Sequence, residues 1–290
     1  MRLGFLGTPE AAVPSLRALV AAGHDVALVV TRPDSRRGRG GQFGPSAVKR
    51  AALDLGLAVG HALGDLESVS VERAVVVAYG AIIPAAILAR TPMLNVHFSL
   101  LPRWRGAAPV QRAILAGDEE TGVAVMSLEA ALDTGPVHLM ERLAVGEKTL
   151  GQLTNELAHV GADSLVRVLA SRDLLENPRA QVGAATYAAK VTNETYHLTP
   201  AMTSTEVLRT VRLERAFTLL HDRRLKILTA HLVTLPKSSA GSISLVDGEV
   251  VFASADGAVG LDVVQPEGSR PMAARAWWLG AHIDASTRWG

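Results

Sequence analysis

Fully apolar strand segments constrain the fold of this chain more than any other feature of its sequence. Residues 26–30 (VALVV) and 74–78 (AVVVA) are apolar at every position, and amphipathic segments with helical spacing alternate with them. Strands that are apolar on both faces need helices on both faces, which is typical of parallel sheets. The alternation from residue 2 onward predicts a doubly wound α/β domain with a mostly parallel, Rossmann-like sheet.

The last third of the chain has a different pattern. Short runs of alternating apolar and polar residues follow residue 194, and the pairs Asp247-Gly248 and Asp256-Gly257 separate some of them. Asp-Gly between two strand-like runs is a strong hairpin signal. We therefore predict a smaller antiparallel, barrel-like domain over residues 194–290.

Between these two patterns, residues 173–193 lack clear periodicity and contain Asn-Pro and Gly, as linkers do. The predicted domains are thus an α/β domain over residues 1–172, a linker over 173–193 and a barrel over 194–290. Within the α/β domain, Thr149 and Gln152 have the spacing of a capping box, which predicts that a helix begins at about residue 149.

Composition excludes several kinds of chemistry. The chain has 0 cysteines, so it has no disulfides, thiolate nucleophiles, Cys-ligated zinc or iron–sulfur clusters. Its histidines show no ligand spacing, so no metal is predicted. With a formal net charge of +1, a nucleic-acid partner would need a local basic patch. The sequence has neither a signal-peptide pattern nor the roughly 20-residue apolar run of a membrane span, so a cytoplasmic protein with no membrane partner is expected.

Residues 94–110 (LNVHFSLLPRWRGAAPV) place polar side chains inside an apolar run. Successive side chains of a strand point to opposite faces, so Asn95, His97 and Ser99 share one face. Pro102 ends the strand, and ligands of open α/β sheets bind beyond the carboxyl ends of the strands. These polar residues are therefore predicted to face a crevice.

Two further segments are predicted to reach this crevice: the strand end at Tyr79-Gly80 and the turn LDTGP, which contains Asp133. Taken singly, such a histidine or turn is more often structural. Together, an amide, an imidazole and a carboxylate suit acyl transfer through a tetrahedral intermediate. Ser99 lacks the Gly-x-Ser-x-Gly turn of serine nucleophiles, so the attacking group is predicted to come from the substrate.

Several motifs together resemble one family. NVHFSLLPRWRGAAPVQRAI, LDTGP and FLGTPE resemble the formyltransferases that use 10-formyltetrahydrofolate, whose pattern is Asn-x-His, Ser-Leu-Leu-Pro and a later Asp-x-Gly. The resemblance is dense over residues 1–170 and continues more weakly to the end, including TYAAK and RLKI. It implies a Rossmann-like catalytic domain, an OB-like barrel that helps to hold tRNA, and 10-formyltetrahydrofolate as the formyl donor.

The resemblance also implies roles for individual residues. Asn95, His97 and Asp133 match the catalytic trio of the family. The residues implied to bind the folate are Tyr79, Gly80, Ser99, Leu100, Leu101, Pro102 and Glu129. The family usually has a glycine where Ala131 stands, and a methyl group there would be strained if the backbone φ were positive.

The nature of the acceptor is less closely specified. Residues 103–111, AYGAIIP and AGDEETGV most resemble the family members that formylate methionyl initiator tRNA. A tRNA would need a basic patch, for which Arg36, Arg37 and Arg39 are the candidates. A flexible, solvated Gly-Arg loop is the alternative interpretation of these three residues.

Three functional hypotheses follow from the sequence. The first is formyl transfer to methionyl initiator tRNA by a monomeric enzyme. The second is formyl transfer to a small amine, such as a nucleotide-linked amino sugar or a natural-product amine. The third is a noncatalytic folate- or RNA-binding protein, against which the complete set of Asn95, His97 and Asp133 argues.

Overall fold

The computed structural model describes residues 1–37, 42–234, 239–284 and 286–290. Its contacts divide the chain into two compact units. The first unit comprises Met1–Val110, Glu119–Ala144 and Leu153–Ala189, and the second comprises Gln111–Asp118, Val145–Gln152 and Lys190–Gly290.

The first unit is built on a seven-stranded sheet and two small two-stranded sheets. Its strands, in chain order, are β1 (Arg2–Gly7), β2 (Asp25–Val30), β3 (Ser35–Arg37), β4 (Gln42–Gly44), β5 (Val59–Gly60), β6 (Arg73–Val77), β7 (Met93–His97), β8 (Arg105–Gly106), β9 (Glu120–Ser127), β10 (Val137–Ala144) and β11 (Tyr187–Ala188).

The large sheet has the order β10-β9-β7-β6-β1-β2-β5. All pairs from β5 to β7 are parallel, whereas β9 pairs antiparallel with both β7 and β10. The predicted mostly parallel, Rossmann-like sheet is confirmed. The strand order reverses at β1, and in such sheets the crevice at the reversal is the usual ligand site.

The helices of this part of the chain are divided between the two compact units. They are α1 (Val13–Ala21), α2 (Ala47–Asp54), α3 (Ala85–Leu88), α4 (Pro109–Ala116), α5 (Leu150–Ala170) and α6 (Arg172–Glu176), and two 3-10 helices span Glu10–Ala12 and Leu63–Ser68. Residues 111–116 of α4 and 150–152 of α5 belong to the second unit. The predicted capping box precedes α5: the backbone N–H of Thr149 donates to Gln152 Oε1 (2.9 Å), and the N–H of Gln152 donates to Thr149 Oγ1 (3.3 Å).

Helix α5 determines which face of β7 is available. A Cβ atom on Gly161 of α5 would lie 2.7 Å from Val96 Cγ1 and 3.5 Å from Phe98 Cε1, so the helix backbone packs directly on these two side chains. The alternation of the strand then directs Asn95 and His97 to the opposite face. The sheet thus separates a packing face from a polar face, as the sequence predicted.

The second unit contains a curled antiparallel sheet, a half-barrel. Its six strands have the order β12-β13-β16-β15-β14, with β17 paired to β16. The elements are α7 (Ser204–Val211), β12 (Phe217–Leu220), β13 (Arg223–Val233), β14 (Ile243–Val246), β15 (Glu249–Ala253), β16 (Ala258–Pro266), β17 (Met272–Ala273), α8 (Ala274–Gly280) and a 3-10 helix at Glu194–Tyr196.

Both Asp-Gly pairs lie in hairpin connections of this sheet, as predicted. Asp247 (φ 49°) and Gly248 (φ 84°) form the two-residue turn between β14 and β15, and two positive φ values are the signature of a type I′ turn. In the connection between β15 and β16, Asp256 Oδ1 accepts a hydrogen bond from the first N–H of α7, at Ser204 (2.7 Å). The side chains of the half-barrel and of both helices form one hydrophobic core.

Candidate active site

His97 ends β7, and only 6% of its surface is exposed. Its Nε2 lies 2.9 Å from the carbonyl oxygen of Trp104. A carbonyl can only accept, so the hydrogen of the neutral imidazole is assigned to Nε2 and Nδ1 keeps a lone pair. Asn95 is partly exposed on the same face of β7. An amide and an imidazole therefore lie next to each other on one strand face.

Asp133 lies on the Nδ1 side of His97 and is also buried. Its Oδ2 is 3.7 Å from His97 Nδ1 and accepts a 2.8 Å hydrogen bond from the backbone N–H of Gly106. A separation of 3.7 Å is too long for a hydrogen bond, so the interaction between the two side chains is electrostatic. The imidazole thus has a carboxylate on one side and the carbonyl of Trp104 on the other.

The route of the chain to Asp133 differs from the sequence prediction. We expected the Asp133 turn at the exit of a strand beside the end of β7, but β9 is antiparallel to β7, and its last residue, Ser127, lies opposite Leu94 near the start of β7. The turn between β9 and β10 then brings Asp133 back to His97. The predicted proximity is found, although the strand direction that we used to derive it was wrong.

Two residues beside the imidazole have left-handed backbone torsions, Trp104 (φ 60°) and Asp133 (φ 49°). Such torsions cost a non-glycine residue about 1–3 kcal/mol and cluster at functional sites. Ala131 is not one of the residues with positive φ, so its methyl group does not strain the turn. The left-handed torsion of the turn lies two residues later, at Asp133.

Gly106 makes the contact between the two loops possible. Its φ is 120°, and a Cβ atom there would lie 2.8 Å from the carbonyl oxygen of Ala188. Only glycine fits this torsion and this close approach. The residue therefore allows one N–H to reach Asp133 Oδ2 while β8 pairs with β11.

The segment from Arg179 to Ala188, here called the crossing segment, was missed as part of the site, because the sequence predicted a linker there. Thr186 Oγ1 accepts a hydrogen bond from the N–H of Trp104 (2.9 Å), and Gln181 Nε2 donates to the carbonyl oxygens of Asp133 (2.8 Å) and Gly135 (2.9 Å). The motif TYAAK begins at Thr186 and was the one available signal.

The residues predicted to bind the folate have varied surroundings. Ser99 is fully buried and its hydroxyl donates to the Arg103 carbonyl (2.6 Å), closing the turn after β7. Leu101 is buried, and Leu100 and Pro102 are partly exposed. These side chains shape the turn, and their contact with a folate stays a prediction.

Tyr79, another residue of that set, is 5% exposed and packs into the core with neighbours such as Leu6 and Met93. Burial raises the pKa of its phenol, and Arg32 opposes this effect. Gly80 and Glu129 are exposed. The structure thus leaves Gly80 and Glu129 accessible and encloses most of the Tyr79 side chain.

Two of the three arginines proposed for tRNA, Arg36 and Arg37, lie in a described strand. Arg36 and Arg37 belong to β3, which pairs antiparallel with β4, and Arg36 is exposed. Arg39 lies outside the described residues. The sequence predicted a loop here, whereas residues 35–37 and 42–44 form paired strands. The role of the three arginines in binding tRNA stays a prediction.

His138 of β10 is a buried histidine that is structurally satisfied. Its Nδ1–H donates to the Leu174 carbonyl (2.9 Å), and its Nε2 accepts from the Ser127 hydroxyl (2.8 Å). Burial lowers the pKa of this imidazole below its usual value of 6.5, and the hydrogen bond to Leu174 opposes the shift. Both ring nitrogens of His138 are thus hydrogen-bonded, and they link β10 to β9 and to helix α6. His138 therefore has a structural role and is not part of the crevice.

In the part of the chain that the structure describes, one group of side chains has the composition of a metal site. His231, Glu249 and Asp262 lie on neighbouring strands of the second unit. His231 Nε2 is 2.6 Å from Glu249 and Nδ1 is 3.0 Å from Asp262, so each ring nitrogen already faces a carboxylate. Across residues 1–37, 42–234, 239–284 and 286–290, no helix has the length and apolar character to cross a membrane.

Comparison with known proteins matches both halves of the chain to one family. A family model described as "Formyl transferase" matches residues 1–169, and one described as "Formyl transferase, C-terminal domain" matches residues 190–282. A methionyl-tRNA formyltransferase of Roseobacter denitrificans is 42% identical to this chain over an alignment 302 residues long. The alignment covers 99% of this chain and 98% of that protein.

Two solved structures extend the comparison to the fold. An N-formyltransferase of Helicobacter canadensis, in complex with folinic acid and dTDP-3-aminofucose, superposes with a TM-score of 0.68 at 15% identity and covers 91% of this chain and 98% of that one. A methionyl-tRNA formyltransferase from Clostridium thermocellum gives a TM-score of 0.57 at 15% identity, with coverages of 80% and 94%. At these identities the similarity concerns the fold.

Proposed function

The chain belongs to the formyl transferase family, and we propose that it transfers the formyl group of 10-formyltetrahydrofolate to the amino group of methionyl initiator tRNA. The observation that carries this proposal is the similarity to a methionyl-tRNA formyltransferase over nearly the whole length of both chains. A shared catalytic domain alone would support only formyl transfer. Similarity that extends through the second unit supports a shared acceptor as well.

The reaction replaces one C–N bond of the formyl group by another. The acceptor amine attacks the formyl carbon, the carbonyl oxygen gains negative charge, and the bond to the folate nitrogen breaks. Asn95 supplies an N–H that donates to this oxygen. Removing one such donor typically costs about 10²–10³ in rate.

His97 moves the proton. In the tautomer assigned above, Nδ1 has a free lone pair, so it accepts the proton that the amine loses after attack. The imidazolium that forms lies between the Asp133 carboxylate and the Trp104 carbonyl, and both stabilise it. His97 then returns the proton to the folate nitrogen as it leaves, which balances the reaction.

The remaining assignments follow the family. Residues 1–172 perform the chemistry together with the crossing segment, which lies in the first compact unit rather than in a linker, and residues 194–290 help to hold the tRNA. The folate contacts the exposed residues Gly80 and Glu129 and the partly exposed residues Leu100 and Pro102, and the buried residues Tyr79, Ser99 and Leu101 shape this surface. Since charged tRNA is made in the cytoplasm, the reaction is expected to occur there.

The acceptor is tested with purified protein and 10-formyltetrahydrofolate. Methionyl initiator tRNA and a panel of nucleotide-linked amino sugars are supplied at equal concentrations, with uncharged initiator tRNA as the control. We expect formylation of the charged tRNA alone. Faster formylation of an amino sugar would make the enzyme a small-amine formyltransferase, and no turnover with any amine would leave a noncatalytic role.

The basic patch is tested by changing Arg36, Arg37 and Arg39 to alanine. If they contact tRNA phosphates, KM for charged tRNA rises and the slope of its salt dependence falls by up to about three counterions. The matched control changes the exposed arginines Arg90, Arg142 and Arg172, whose charges are each offset by a glutamate. Equal salt slopes in both triple variants would remove Arg36, Arg37 and Arg39 from the tRNA site.

A further inference from the structure

Gln181 uses its whole hydrogen-bonding capacity on two loops of the candidate active site. Its Oε1 accepts from Nε (3.0 Å) and Nη2 (2.6 Å) of Arg105, and its Nε2 donates to the carbonyl oxygens of Asp133 (2.8 Å) and Gly135 (2.9 Å). An amide side chain has two N–H donors and two oxygen lone pairs. Because guanidinium only donates and carbonyls only accept, this network fixes which end of the amide is the oxygen.

The bonds to Asp133 and Gly135 hold a turn in a costly conformation. Asp133 has a φ of 49°, and an L-residue pays about 1 kcal/mol or more for a left-handed torsion. Such torsions persist when surrounding contacts determine them. Gln181 donates to the backbone carbonyls of Asp133 and Gly135. These two bonds fix the backbone of the turn from which the Asp133 carboxylate projects.

The bonds to Arg105 hold the second loop that contacts the same carboxylate. Arg105 precedes Gly106, whose N–H donates to Asp133 Oδ2 (2.8 Å). One amide is therefore bonded both to the turn that carries the carboxylate and to the loop that donates to it.

We propose that Gln181 is a positioning residue for formyl transfer: it fixes the Asp133 carboxylate beside His97 Nδ1. The proposal rests on the function proposed above, because it assigns to Asp133 the stabilisation of the His97 imidazolium. Gln181 itself touches neither the imidazole nor, on this account, the substrates.

The substitution Gln181→Glu separates positioning from packing. Glutamate has nearly the same shape and keeps an oxygen for Arg105, but it places a second oxygen, without hydrogens, against the carbonyls of Asp133 and Gly135. A displacement of about 1 Å at a catalytic group can cost about 10²-fold in rate. We expect kcat to fall about 10- to 100-fold, while KM for the folate and for the tRNA changes less than about threefold.

The matched control is Gln265→Glu in the second unit, where Gln265 Nε2 donates to the Ser269 carbonyl (2.9 Å). It makes the same chemical change at an amide that donates to the backbone, and kcat should stay at the wild-type value. A second test repeats Gln181→Glu in the Asp133→Asn background. Residues that act as one unit give non-additive losses, so Gln181→Glu should lower kcat there by less than about threefold.

A readout independent of activity is the ¹⁵N NMR spectrum of the histidine rings, with His97 assigned by substitution. Gln181→Glu should shift the His97 ring signals, and Gln265→Glu should leave them in place. If wild-type protein forms no formyl-methionyl-tRNA, the proposed function fails, and the NMR comparison still tests the positioning. If wild-type protein is active and Gln181→Glu changes neither kcat nor the His97 signals, or lowers kcat equally in the Asp133→Asn background, the positioning role is wrong.

Discussion

Left-handed backbone torsions occur in both compact units, but different contacts hold them. In the second unit, His221, Asp222 and Asp247 have positive φ in two-residue hairpins, where strand pairing on both sides closes the turn. In the first unit, Trp104 and Asp133 follow strands of the large sheet, and Thr186 and Gln181 hold them from 82 and 48 residues away.

This difference separates two uses of an unfavourable torsion. A hairpin turn reverses the chain, and its stability depends on the turn residues themselves. The torsions at Trp104 and Asp133 instead direct a carbonyl and a carboxylate towards the two nitrogens of His97. Changes in the hairpins should therefore affect stability, and changes at the strand exits should affect turnover.

The largest effect on turnover is expected from substitutions of the three candidate catalytic residues. Asp133→Asn, His97→Ala and Asn95→Ala should each lower kcat by about 10²–10³-fold or more, because these groups act on charge that develops in the transition state. Folate binding, measured by titration, should change only a few-fold.

The matched control for this prediction is Asp247→Asn, the same substitution at a left-handed aspartate in a hairpin. Its kcat should equal that of the wild type, since asparagine also tolerates this torsion. If turnover of all three site variants stayed within a few-fold of wild type, the site assignment would be wrong.

A smaller effect is expected one contact away from the imidazole. Thr186→Val has the same shape but loses the oxygen that accepts from the Trp104 N–H, so the Trp104 carbonyl is less well placed for His97. We expect kcat to fall about fivefold, in line with the value of about 1 kcal/mol for one hydrogen bond. Thr195→Val removes a hydroxyl that accepts from a backbone N–H three residues away and is the control; an equal loss there would contradict the prediction.

A substitution in a hairpin of the second unit should instead lower stability and leave turnover unchanged. Gly248→Ala places a side chain at a φ of 84°, which should cost about 1 kcal/mol of unfolding free energy. For a chain of this size the thermal midpoint should fall by about 2–4 °C, and kcat at 25 °C should not change. Gly64→Ala, with no positive φ and open space around the glycine, is the control. A loss of turnover in Gly248→Ala at unchanged stability would show that hairpin torsions also serve the site.

The smallest effect concerns acid stability, measured by denaturant unfolding. Because burial lowers the pKa of His138 below 6.5, the unfolded chain binds a proton more readily than the folded one. Its stabilising contribution is therefore complete above pH 6.5 and is lost as the pH falls through the folded pKa. His138→Gln should flatten the decline of unfolding free energy as the pH falls below 6.5.

The second unit should respond in a different pH window. Hydrogen bonds from Ser286 and Thr287 lower the pKa of Asp284 from 3.8 to about 2. This contribution is present above pH 3.8 and is lost as the pH falls through about 2, so Asp284→Asn should alter the slope only below about pH 4. Identical pH profiles for wild type and both variants would contradict the assignment of these windows.

Local patterns in the sequence determined much of the architecture. Fully apolar runs predicted β2 and β6, the capping box predicted the start of α5, and Asp247-Gly248 predicted a hairpin. The alternation of side chains placed Asn95 and His97 on one face of β7. Each of these features depends on residues that are neighbours in the chain, which is why periodicity and turn chemistry were sufficient.

The tertiary structure alone decided how the polar groups meet. The antiparallel direction of β9, the Gly106 N–H on Asp133, and the bonds of Gln181 and Thr186 join residues that are 27 to 82 positions apart. Such bonds form only when packing brings distant backbone groups together, and the crossing segment has no periodicity that would indicate it. The sequence by itself thus determined which elements form and which side chains share a strand face, whereas packing decided which distant hydrogen-bond partners hold His97 and Asp133 in place.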